Sequence, residues 1–150
     1  MMLLAGLGAI VAASLFTGAA TYISLVEHPA RLGLDDVPLL AQWKPSYARA
    51  LPLQSGLAVL GGVLGLLAWY SSRDWLWIAG SVAILANWPF TIFGIMPTNK
   101  RLKAITHDAA GPESRKLLLT WGKLHNVRSG LGALATTLFA LAFAAGSQSL

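Results

Sequence analysis

Residues Trp121 to Gly146, WGKLHNVRSGLGALATTLFALAFAAG, end as a membrane span but begin with polar side chains. Trp121, His125 and Arg128 stand at i, i+4 and i+7, so they project from one helical face. The apolar part that follows Arg128 is about 17 residues, roughly 26 Å at the helical rise of 1.5 Å per residue. His125 and Arg128 therefore sit at the lip of the hydrocarbon layer or just inside it. Charge at that depth is costly and marks a site by default. The stretch points to a membrane-embedded helix bundle and raises the question of what the other helices bring to the same end.

Composition agrees with lipid as the solvent. Of 150 residues, 55% are hydrophobic and only 11% charged, where a soluble domain carries about a quarter charged. With no cysteine, disulfides, thiolate metal sites and thiol nucleophiles drop out. The first span, Leu3 to Val26, has no Lys or Arg ahead of it and no cleavage motif in the right place, so it reads as a retained helix. The net charge of +5 follows from membrane topology, and no nucleic-acid partner is implied.

Four stretches are long enough to cross a hydrocarbon layer of roughly 30 Å: about 3–26, 52–70, 75–95 and 117–146. A chain this short cannot close a barrel, so the fold class is all-α, a single integral membrane four-helix bundle over 1–150. The tight Ser71-Ser72-Arg73-Asp74 joins the second and third spans, and Trp69, Tyr70, Trp75 and Trp77 flank it as an aromatic belt. The other connections are longer, Glu27 to Leu51 and Pro97 to Lys116, and share one side. Of the 11 Lys and Arg, only Arg73 falls on the opposite side. The positive-inside rule then puts the long loops in the cytoplasm and both termini outside, in a plasma or inner membrane.

Each helix shows a polar or small face near the long-loop end. On the first, Ser14, Thr17, Thr21, Ser24 and His28 form one stripe, which small hydroxyls can use for helix packing. Glu27 and His28 end that span before Pro29. On the second, Gln54, Ala58, Gly61 or Gly62, and Gly65 share a side. Tyr47 aligns with Gln54 if the helix continues through Pro52; alternatively Pro52 starts the span. Arg49 points elsewhere and reaches for headgroups. On the third, Gly80, Ala83, Asn87, Phe90 and Gly94 share a face, and Pro89 cannot donate to the carbonyl of Leu85, which predicts a kink. Thr98 or Asn99 could cap a short amphipathic helix reaching Ala109. His107 is a surface histidine without a role. Together these faces predict a pocket opening toward the long loops, lined by Thr21, His28, Tyr47, Gln54, Asn87, Trp121, His125 and Arg128. The glycine faces can equally pack helices within one chain or between copies, so a homo-oligomer stays open.

No carboxylate lies well inside a span, which argues against a diiron bundle site. No glycine-rich phosphate loop is present. Haem held by His28 and His125 remains an alternative, as does noncatalytic binding or transport. Cofactor-free chemistry suits the inventory better. A neutral imidazole can take a proton from an activated carbon while Arg, Asn or Tyr steadies the developing oxyanion. An apolar, aromatic-lined pocket suits a flat hydrophobic ligand.

The segments LFTGAATYISLVEHPAR (15–31), WKPSYARA (43–50), NWPFTIFGIMPTNKRL (87–102) and WGKLHNVRS (121–129), in that order, resemble the anthrone oxygenase-like family, long catalogued as a membrane domain of unknown function. Fungal members are associated with oxidising anthrones to anthraquinones without a conventional cofactor. The resemblance implies an integral membrane monooxygenase acting with O2 on an anthrone-, quinol- or phenol-like compound. Its matching positions are Glu27, His28, Trp43, Tyr47, Arg49, Asn87, Pro89, Asn99, Trp121, His125 and Arg128. The chemistry of the residues, which fits that resemblance, gives the expected roles: His125 the base, His28 its assistant, and Arg128, Asn87 and Tyr47 the groups around the enolate oxygen. Thr21, Glu27, Trp43, Gln54, Asn99 and Trp121 would bind substrate.

Overall fold

The computed structural model describes residues 2–147 and is helical almost throughout. α1 runs Met2–Tyr22, widens into a π-helical turn at Ile23–Glu27 and closes as His28–Leu32. α2 is one helix, Asp36–Ser72. α3 spans Trp75–Ala104, interrupted at Ala86 and widened by a second π-turn at Thr91–Ile95. α4 is Pro112–Ser147. All four are long and apolar enough to cross a membrane, and the chain reads as an integral membrane protein.

The expected long loops are a point of correction. Most of 27–51 and 97–116 is helix, leaving only 33–35 and 105–111 as connections. Pro38, in the first turn of α2, loses nothing by lacking an N–H. Pro45 and Pro52 lie inside the continuous helix, so Pro52 does not start it. The helices are simply longer than the hydrocarbon layer, since 37 residues span roughly 55 Å. Nor does a capped helix begin at Thr98 or Asn99: α3 runs through both and stops at Ala104.

Prolines shape the other two helices. Pro29 and Pro97 each follow a π-turn by two residues, and the residue between donates five back: His28 N–H to Ile23 O, Met96 N–H to Thr91 O. A wide turn accommodates a position that cannot donate. Ahead of Pro89 the regular helix is interrupted at the single residue Ala86, while Ala86 N–H still reaches the Val82 carbonyl at 2.9 Å and Phe90 N–H the Ala86 carbonyl at 3.1 Å.

Around the bundle, α1 packs on α2 and α4, and α3 packs on α2 and α4. The membrane-level core is built on aromatic rings set against small residues. Phe139 enters a slot made by two glycines: a Cβ on Gly80 would stand 2.5 Å from its ring, and one on Gly65 2.7 Å. Trp77 stacks on Phe139 at 5.5 Å and is buried, so it belongs to the core and not to the aromatic belt. Ser14 is exposed, and the inner stripe of α1 is Ala9, Ala13, Phe16 and Ala20. A second core, with Leu39, Leu40, Trp43, Ile95, Leu118 and Trp121, fills the loop-side end. Arg115 staples that end, donating to Asp36 Oδ1 at 2.5 Å and to the carbonyls of Leu32 and Leu34. At the opposite end Arg73 adopts φ 60°, and Asp74 accepts from the N–H of Leu76 at 3.0 Å to cap α3.

If the Phe139 slot holds the bundle together, Gly80→Val costs on the order of 1–3 kcal/mol through overpacking. Thermal unfolding in detergent should show a lowered midpoint, while Gly18→Ala, which meets nothing within 4 Å, leaves it nearly unchanged.

Candidate functional site

Polar side chains from all four helices meet where the two cores adjoin. Trp121 is the hub. Its indole lies 5.1 Å from the His28 ring, 4.8 Å from the His125 ring and 5.9 Å, edge-on, from Trp43. Trp43 in turn stacks on Tyr47 at 5.0 Å. His28 reaches this position only because residue 122 is glycine, where a Cβ would stand 2.6 Å from the imidazole. Both histidines are buried and face inward.

The single pocket expected from the sequence is two spaces. The inner one is a void of about 10 Å³ bordered by Arg31, Ser46, Tyr47, Gln54, Trp121, His125 and Arg128, about the size of one water. The outer one is a cleft of about 160 Å³ between α2 and α3, lined by Leu51, Ser55, Ala58, Asn87, Trp88, Thr91, Ile92, Met96 and Arg128. Arg128 borders both. The cleft does not open toward the loops: its rim carries Trp88 and Ile92, 45% and 47% exposed on the flank of the bundle.

Each predicted residue has a definite place. Arg128 is 6% exposed, its guanidinium 5.6 Å over the Phe16 ring, and no carboxylate pairs with it among the described residues. An unneutralised cation in an apolar bundle costs several kcal/mol, so its presence calls for an anionic or carbonyl partner. His125 Nδ1 lies 3.0 Å from Ser24 Oγ, which lies 2.9 Å from Ser129 Oγ, which donates back to the His125 carbonyl at 3.4 Å. With Ser129 giving its hydrogen to the carbonyl, Ser24 donates to Ser129 and His125 Nδ1–H to Ser24, the order that leaves the Nε2 lone pair free. Nε2 makes no hydrogen bond among the described residues.

Asn87 Nδ2 donates to the Ile84 carbonyl at 3.0 Å, which leaves Oδ1 buried without a partner. A carbonyl can only accept, so this contact fixes the amide's orientation: the free atom is an acceptor. Tyr47 Oη accepts from Asn99 at 2.9 Å and keeps its own proton to donate. Gln54 Nε2, Trp43 Nε1 and Trp121 Nε1 are buried and have no hydrogen-bond partner among the described residues. Such atoms are uncommon in folded proteins and here gather in one place.

Two predicted members fall outside. Thr21 is half-buried and lines neither space. Glu27 is engaged by Arg31, Ser46 and Gln42, so it serves as the counter-ion of Arg31 and not as a free ligand group. Arg49 is exposed. Sequence reasoning missed Arg31 and Ser46, which border the void; the Glu27–Arg31 spacing of four was the available signal. Haem ligation by His28 and His125 fits poorly, because the Trp121 indole packs against both rings. Among the described residues no three His, Asp or Glu side chains converge as a metal-ligand set.

The contact at residue 122 is testable. Gly122→Ala pushes His28 off Trp121, lowering the thermal midpoint and the near-ultraviolet circular dichroism of the packed aromatics. Gly130→Ala, which meets nothing within 4 Å, changes neither.

Comparison with known proteins adds one match. No curated protein and no solved structure matches the chain. The family model described as anthrone oxygenase matches residues 43–138. That range runs from Trp43 in α2 through α3 to Leu138 in α4, and leaves the Glu27 and His28 of α1 outside it. With well over half of the chain inside the match, the protein belongs to the anthrone oxygenase family.

Proposed function

We propose that the protein is a membrane oxygenase that acts with O2 on a flat, phenolic or anthrone-like compound, with His125 as the base. The observation that carries this reading is the pairing, one helical turn apart, of an imidazole held at Nδ1 by Ser24 with a buried cation that has no carboxylate partner among the described residues. An anthrone carries an acidic benzylic CH2 beside a conjugated carbonyl. His125 Nε2 takes one proton from that carbon, and Arg128, aided by the Tyr47 hydroxyl, stabilises the resulting enolate oxygen. The enolate passes an electron to O2, and the two radicals combine to form a C–O bond. The proton returns to give a hydroperoxide, CH–OOH. Loss of water from that group leaves the second carbonyl, so anthrone plus O2 becomes anthraquinone plus H2O.

The roles assigned to the other residues shift with the geometry. Asn87 offers an acceptor and so meets a substrate hydroxyl, not an oxyanion. His28 and Trp43 hold the Trp121 indole in place, and Asn99 orients Tyr47. Gln54 Nε2 is a free donor beside the void. Lipid and O2 complete the surroundings, with the loop side in the cytoplasm of a plasma or inner membrane as the charge distribution favours.

The test is oxygen uptake by protein in liposomes loaded with 1,8-dihydroxyanthrone. His125→Ala should lower kcat by about 10²–10⁴-fold, and Ser24→Ala should lower kcat with KM nearly unchanged. Wild-type uptake in His125→Ala would remove the base assignment. Retention of the anthrone without any oxygen uptake by the wild-type protein would point to carriage in place of catalysis.

A further inference from the structure

The cleft between α2 and α3 is a window with closed ends. On the side away from the loops, Gly61 and Gly62 let α2 lie directly against Ile84 and Leu85 of α3: a Cβ on Gly62 would stand 2.5 Å from Leu85. On the loop side, Asn99 bonds Tyr47, and Lys44 reaches the Ile105 carbonyl at 2.5 Å. Between these seals the two helices part. Up to Leu85, α3 packs on both α2 and α4; beyond Ala86 its neighbour is α4. The parting has a covalent cause, since the missing N–H of Pro89 and the π-turn at Thr91–Ile95 redirect the helix.

Depth and chemistry indicate what uses the window. Ser55 and Ala58 lie three and six residues inside the apolar run that starts at Pro52, roughly 5–9 Å along the axis. The mouth therefore faces acyl chains just below the headgroups, and Trp88 and Ile92 form its outer surface. At the back stand two buried polar groups of opposite character. Arg128 can only donate, and Asn87 Oδ1 can only accept. A phosphate or carboxylate would satisfy the first and leave the second unpaired. A compound carrying a carbonyl or oxyanion together with a hydroxyl satisfies both.

We infer that the α2–α3 window is a lateral portal through which a membrane-dissolved hydroxyaryl ketone enters from the lipid, its carbonyl oxygen meeting Arg128 and its hydroxyl meeting Asn87. This rests on the oxygenase reading and adds the route and the two groups that receive the compound, but the binding step does not depend on His125. Ser55 and Ile92 stand on opposite lips of the window and serve for its closure.

The chain lacks cysteine, so closure can be imposed. Ser55→Cys/Ile92→Cys, reconstituted in liposomes and bridged with a short bismaleimide, should bind membrane-loaded 1,8-dihydroxyanthraquinone at least tenfold more weakly than the unbridged protein, read from the dye's visible absorbance. Each single cysteine variant treated alike should bind normally. Ser55→Trp, which fills the window without chemistry, should give the same loss, while Phe93→Ala, outside it, should not. Asn87→Asp should weaken this dye more than 9,10-anthraquinone, which lacks the hydroxyl. Undiminished binding in both the bridged protein and Ser55→Trp overturns the portal. Equal losses for the two dyes in Asn87→Asp overturn the hydroxyl contact. Since His125→Ala tests turnover alone, normal turnover there with binding blocked by the bridge would sink the base assignment and leave the portal standing.

Discussion

In a hydrocarbon environment every backbone N–H and C=O must find a partner inside the protein, and this chain places prolines at 29, 89 and 97 inside helices that cross it. The response to that constraint organises the rest. Two π-turns carry α1 and α3 past Pro29 and Pro97, and the break at Ala86 ahead of Pro89 turns α3 away from α2. One widened segment sets His28 against Trp121. The other opens the cleft in which Asn87 and Arg128 are found. Helix irregularity of this kind is tolerated at membrane depth where it borders a cavity, and that is where it occurs here.

Charge is handled in two ways around the same void. Arg31 is neutralised by Glu27, with Ser46 and Gln42 completing the carboxylate's contacts. Arg128, at a comparable level of burial, has an aromatic face and, among the described residues, no carboxylate. The first is an ion pair within α1, and the hydrogen bonds of its two members to Ser46 and Gln42 tie α1 to α2. The second is a cation kept available, and the contrast between the two arginines is the physical argument for a ligand at Arg128. The pair of hydroxyls behind His125 extends the same logic, since Ser24, bonded to Ser129, engages Nδ1 and orients the ring without adding charge.

Much of the site was legible from spacing alone. Trp121, His125 and Arg128 do share a face, Tyr47 and Gln54 do line up through Pro52, and Asn87 does lie on the inner side of α3. What escaped was local chemistry that spacing does not encode. By sequence Trp77 sits with its neighbours at the lipid interface, yet it stacks on Phe139 and lies against Gly6 of α1, where a Cβ would stand 2.8 Å from its ring. Thr21 was counted inside because of its stripe, but π-helical widening after Tyr22 rotates the following residues relative to it. Glu27 looked like a ligand group until its partners on α2 were visible.

Length, apolar runs and the periodicity of polar residues determined a four-helix membrane bundle with one hydrophilic end, because burial in lipid leaves few alternatives for such a pattern. The division of that end into a closed void and a side window was decided only in three dimensions. It depends on which helix α3 leans on after Ala86, and that choice rests on contacts between residues far apart in the chain, Gly62 with Leu85 and Asn99 with Tyr47. Side-chain periodicity reports the face of a helix; the distance to the next helix is a property of the packed pair.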